Sequence, residues 1–165
     1  MTLRADAQRN LDALLGAATE CFAEHGVDCS VDEIARRAGV GHGTVFRRFP
    51  TKDALLAAVL EAQMNDLMHV AEAALEEEDV AGAFEHFFRA AAGGYARNRS
   101  LVEAVKRCGG TPAVGGLMVA VGRLVDHAQA AGAVRKDVTA EDVLTLMPAA
   151  SAYPDVILAG LRSPA

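Results

Sequence analysis

The chain has 165 residues, 52% apolar and 23% charged, which excludes a disordered polymer and leaves room for one or two small packed domains. Its net charge of −6 argues against nucleic acid as a partner for the chain as a whole. Residues 1–52, however, carry seven basic and seven acidic side chains, so the acidity belongs to residues 53–165. Three cysteines, Cys21, Cys29 and Cys108, make an odd number with no CxxC spacing. Free or buried thiols in a reducing cytoplasm are expected, rather than a disulfide framework or zinc site. No signal peptide and no stretch able to span a bilayer is evident, so a soluble cytoplasmic protein without a membrane partner is expected.

Abundant alanine and sparse proline favour helix throughout. Residues 4–25 read as a first helix, with Leu11, Leu14, Leu15, Ala18, Cys21 and Phe22 in one apolar stripe and Gly26 at its end. Ser30 and Glu33 then form a capping-box pair, followed by Val31, Ile34, Ala35 and Ala38 at helical spacing. Gly39 falls where the chain must turn sharply, and Val40 plugs the turn. A short helix runs from Gly41 to about Phe49, with Val45, Phe46 and Phe49 on its apolar side. Pro50 closes it and Thr51 caps the next. Ala35 is small where it faces Val45, so the two axes can approach closely. From Ile34 to Lys52 the chain carries Arg36, Arg37, Arg47, Arg48 and Lys52 and no acid. A run of charge is often only a solvated face. Here it coincides with a helix-turn-helix, and a polyphosphate backbone is the natural partner for both together.

A long fourth helix is expected from near Thr51 to about Glu78, apolar along its length from Leu55 to Leu75. Residues 80–97 read as a fifth, with Phe84, Phe87, Phe88 and Ala91 on one face and a kink permitted at Gly93 and Gly94. Asn98 to Cys108 gives a sixth, broken by Gly109, Gly110 and Pro112. Residues 113–131 form a seventh, ended by Gly132; Thr139 caps an eighth, which Pro148 kinks or ends; Pro154 to Leu161 forms the last.

The stretch IARRAGVGHGTVFRRFPTKDALL resembles the signature of the TetR family of transcriptional regulators, with a close likeness over roughly residues 8–60. The resemblance implies an all-α protein: an N-terminal three-helix helix-turn-helix DNA-binding domain (1–50) and a C-terminal helical ligand-binding and dimerisation bundle (51–165). It implies double-stranded operator DNA, a small-molecule effector and a second copy of the chain as partners, no cofactor and no enzymatic activity. Repression, relieved by a small apolar or amphipathic effector, is the family's default mode. In that mode the fourth helix swings and changes the spacing of the two DNA-binding heads.

Carried over position by position, the resemblance places His42 and Gly43 at base contacts, Thr44, Arg48 and Lys52 at phosphates, and Arg47 at bases or backbone. His42 is alternatively an exposed histidine without that role. Phe46 stands where the family usually has tyrosine, losing a hydroxyl but able to pack against sugar. Gly41 stands where the family usually has a serine or threonine cap, a loss of a few tenths of a kcal/mol. Arg36 and Arg37 are weaker candidates. Met64, Met68, Phe84, Phe87, Phe88, Tyr95, Met118 and Met147 are candidates for lining an effector pocket, with His86, Tyr95 and Cys108 as polar handles. Such residues at helical spacing equally read as core. Leu144, Leu146, Val156, Ile157 and Leu161 are candidates for a dimer interface or, again, for core. An alternative is a helix-turn-helix DNA-binding protein with no small effector, controlled by a protein partner or by abundance. Enzyme motifs are missing: no nucleophile elbow, phosphate loop or HExxH-like spacing occurs.

Overall fold

The structure, a computed structural model, describes residues 3–107 and 111–163. They form α-helices: α1 (Leu3–His25), α2 (Val31–Arg37), α3 (His42–Arg48), α4 (Lys52–Ala74), α5 (Val80–Arg107), α6 (Ala113–Ala130), α7 (Ala140–Thr145), α8 (Met147–Ala150) and α9 (Pro154–Leu161). The expected all-α class is what is found. Cys108, Gly109 and Gly110 lie outside the described residues.

Two compact units divide the chain. The first takes in Met1–Ala62 and Asn98–Thr111, the second Gln63–Arg97 and Pro112–Ala165. In the first unit Leu14, Ala18 and Phe22 of α1, Ile34 and Ala35 of α2, Val45 of α3, Leu55 and Val59 of α4 and Leu101 of α5 are buried. Phe22, Ile34 and Val45 thus serve as the anchors their spacing predicts, whereas Phe49 is half-buried. Gly39 has φ +67°, a left-handed conformation that a side chain would strain. Its N–H donates to the Arg36 carbonyl at 3.2 Å, and the Val40 N–H to the Ala35 carbonyl at 3.0 Å, so the end of α2 is closed by the turn itself.

Two expectations fail here. Cys21 and Cys29 are joined as a disulfide, with Cα atoms 5.9 Å apart, and are not free thiols. Cys21 is on the buried stripe of α1, and a short 3-10 turn (Gly26–Asp28) folds Cys29 back onto it. Second, the capping box at Ser30 is only half made. The Ser30 hydroxyl accepts from the Glu33 N–H at 3.1 Å, but the Glu33 carboxylate turns to arginines instead.

The second unit is built on one apolar cluster that includes Ala71, Phe84, Phe87, Phe88, Ala91, Leu117, Val121, Leu124, Val143, Met147 and Leu158. A complete capping box does form there: the Thr139 hydroxyl accepts from the Asp142 N–H, and the Asp142 carboxylate accepts from the Thr139 N–H. The chain end is tied back by the Arg135 N–H to the Leu161 carbonyl at 2.9 Å and by Arg162 to Glu85 at 2.8 Å. The expected division between a fifth and a sixth helix is found: α5 is two helical stretches that meet at a kink at Asn98 (φ −119°, ψ 18°), while Gly93 and Gly94 are helical and carry no bend.

Candidate nucleic-acid interface

α3 has seven residues and buries only Val45. That single inward side chain, on a helix packed against α2, leaves His42, Gly43, Thr44, Phe46, Arg47 and Arg48 exposed together. The helix is entered through Gly41 in an extended conformation with no side-chain cap. A Cβ at Gly43 would meet nothing within 4 Å, so the protein's own packing does not require glycine there. Arg47 donates to the Thr44 hydroxyl at 3.1 Å, which joins two of the expected contact residues. Lys52 is the first residue of α4, beside Thr51, whose hydroxyl accepts from the Ala54 N–H at 3.1 Å. Among the described residues, Arg48 and Lys52 form no ion pair.

Arg36 and Arg37 are different. Arg36 reaches Glu33 at 2.6 Å, and Arg37 binds both Glu33 at 2.7 Å and Glu24 of α1 at 2.8 Å. The Arg36 and Arg37 guanidinium groups hold the Glu33 carboxyl down to about 2. The same pairing raises Arg37, through its bonds to Glu24 and then Glu33. These four side chains cancel in charge and tie α2 to α1. The acid-free basic run starts one residue after the carboxylate that absorbs two of its arginines.

A cleft of about 290 Å³ opens beside α3, lined by Ala7, Asn10, Leu11 and Leu14 of α1, Val40, and Thr44, Arg47 and Arg48. Its lining joins aliphatic side chains to the polar Asn10 and Thr44 and the cations Arg47 and Arg48. His42, at the first position of α3, contacts Asp32 of α2 through Nδ1. Its ring also lies 4.5 Å from that of Phe46 at 35°. Neither Asp32 nor the cleft residues of α1 stood out in the sequence as part of this face. Asp32 lies ten positions before His42 across a turn, a separation that no helical period connects.

The expected effector-pocket residues fall in the second unit. Phe84, Phe87, Phe88 and Met147 are buried in its cluster, and Met64, Met68 and Tyr95 pack against that cluster half-buried. Met118 is half-buried outside it. A Cβ at Gly116 would lie 3.3 Å from the Met68 sulfur, so Met68 occupies the room the glycine leaves. His86 is exposed. Of the interface candidates, Leu161 is core; Leu144, Leu146 and Ile157 pack half-buried against it; Val156 is 69% exposed.

Residues 14–59 match the family described as bacterial regulatory proteins, tetR family. Residues 79–162 match the transcriptional regulator SbtR-like C-terminal domain. A solved TetR transcription regulatory protein from Mycobacterium vanbaalenii is 38% identical, with a TM-score of 0.79 over 98% of this chain and 99% of that one. A TetR regulator from Streptomyces coelicolor is 31% identical, with a TM-score of 0.69 over 93% and 99%. An HTH-type transcriptional repressor of Mycobacterium tuberculosis is 48% identical over 61 residues, 34% of this chain and 32% of that protein. The match therefore spans about a third of the length of such curated relatives.

Proposed function

Since the chain belongs to the TetR family of bacterial transcriptional regulators, we propose that it works as a homodimeric repressor, gripping operator DNA with α3 and released by a small apolar or amphipathic effector. The observation that carries the DNA half is the outward face of α3, where His42, Gly43, Thr44, Phe46, Arg47 and Arg48 stand exposed on a helix pinned by Val45. A seven-residue helix held this way fits a major groove, with base contacts from His42, Gly43 and Arg47 and phosphate contacts from Thr44, Arg48 and Lys52. Phe46, against the His42 ring, packs on sugar. A second copy would cover the exposed apolar side chains Val119, Tyr153 and Val156.

In the repressor reading the effector enters the second unit among Met64, Met68, Tyr95, Met118 and the Phe84–Phe88 pair, and α4 carries its effect. By linkage the effector then weakens DNA by the same factor that DNA weakens the effector. The burial of Phe84, Phe87, Phe88 and Met147 favours a second reading, in which that unit is solid core and control comes from a protein partner or abundance. A thermal-shift screen of apolar and amphipathic compounds separates the two: a hit that also lowers DNA affinity supports the first, and none supports the second.

The DNA half is tested by Arg48→Ala with Lys52→Ala, measured by anisotropy on selected duplex. Affinity should fall about tenfold or more at low salt, and the log–log salt slope should shrink by about 0.9 for each phosphate that the variant no longer neutralises. Unchanged binding by the double variant rejects this face.

A further inference from the structure

We propose that Asp32 is a positioning residue that sets the base preference of His42, making it a reader of amino-bearing bases. The inference rests on the placement of α3 in the major groove and names what one of its residues recognises there. Two contacts fix the imidazole: Nδ1 meets the Asp32 carboxylate from α2, and the ring lies on Phe46, one turn further along α3. A carboxylate can only accept, so Nδ1 carries the proton. In the neutral ring Nε2 is then an acceptor. Among the described residues Nε2 has no partner, and both His42 and Asp32 are exposed, so this lone pair is offered outward.

An acceptor in the major groove pairs with the N6 amino group of adenine or the N4 amino group of cytosine. It is repelled by the O6 and N7 of guanine and the O4 of thymine. With the ring neutral, His42 therefore selects A or C over G or T at one position per half-site. Without Asp32 the neutral imidazole reverts to its ordinary preference for a proton on Nε2, which turns the same atom into a donor. One side chain on the first helix of the motif would thus decide which bases a residue on the second helix accepts.

The test is selection from a pool of random-sequence duplexes with the full chain at pH 8, above the usual imidazole range. For the wild type, one position that loses its information in His42→Ala should favour A and C over G and T about fivefold, the worth of one net hydrogen bond. Asp32→Ala should abolish or invert that ratio and leave the other positions and the salt slope unchanged. The 15N shifts of the His42 ring at pH 8 should place the proton on Nδ1 in the wild type and on Nε2 in Asp32→Ala. That readout separates the acceptor from any loss of α2 stability at its N-terminus, which would not move the ring proton. If Asp32→Ala selects the wild-type sequence, or the wild-type ring carries its proton on Nε2, the inference is overturned and the DNA-binding reading stands. A wild-type chain that enriches no sequence overturns both.

Discussion

The two units keep their shape by different means. The second rests on a broad apolar cluster, with Phe84, Phe87, Phe88, Val121 and Leu124 all buried in one body. The first gives over much of its short helices to exposed polar side chains and adds a covalent link and an ion cluster to a small core. α3 shows why: of seven residues only Val45 is buried, because the other six face outward. Six outward side chains remove area from the interior, and the ties of α1 to Cys29 and to α2 add to what is left.

Four measurements press on that contrast. The largest effect is expected for Phe87→Ala, a fully buried ring whose loss should cost about 3–5 kcal/mol in urea unfolding of the full chain. A much smaller loss, with altered effector response, would make Phe87 a pocket wall rather than core. Next is reduction of the Cys21–Cys29 bond, or Cys21→Ala with Cys29→Ala. Opening a loop of separation 8 should cost about 2–3 kcal/mol, read as a lower midpoint in reductant. No change on reduction would place the burden on the hydrophobic anchors alone. Gly43→Ala should stabilise α3 by up to about 1 kcal/mol, since the position is helical and its Cβ meets nothing. It should nonetheless weaken binding to selected duplex, because in the proposed mode the methyl would stand where the DNA approaches.

The smallest effect concerns acid. Glu33 is held at about 2 against an ordinary 4.5, so its pairing stabilises above about 4.5 and is lost as pH falls toward 2. Glu33→Gln should lose that pH dependence, measured as the change in acid-unfolding midpoint between the variant and the wild type. Both partners are accessible to solvent, so screening keeps the effect small.

What could be read without coordinates was whatever is local. Ser30, Gly39, Gly132 and Thr139 announce helix ends through backbone chemistry that acts within four residues. The stripe through Leu14, Ala18, Cys21 and Phe22 announces a buried face by period alone. Contacts across a turn were not readable. Cys21 and Cys29, Asp32 and His42, and Arg37 and Glu24 lie eight, ten and thirteen residues apart and meet only once α1, α2 and α3 are folded. Burial on α9 was ambiguous for another reason. An apolar residue at helical spacing faces either its own core or a twin, and only packing shows Leu161 inside and Val156 outside.

The carboxylate of Glu33 has a consequence beyond the tie it makes. If α3 grips DNA as proposed, pairing Arg36 and Arg37 would limit how tightly the chain clings to arbitrary chromosomal sequence, where millions of wrong sites compete with the right one. Attraction that ignores sequence would only lengthen each fruitless stop. With those two cations occupied, discrimination would be left to the few side chains proposed to touch base edges.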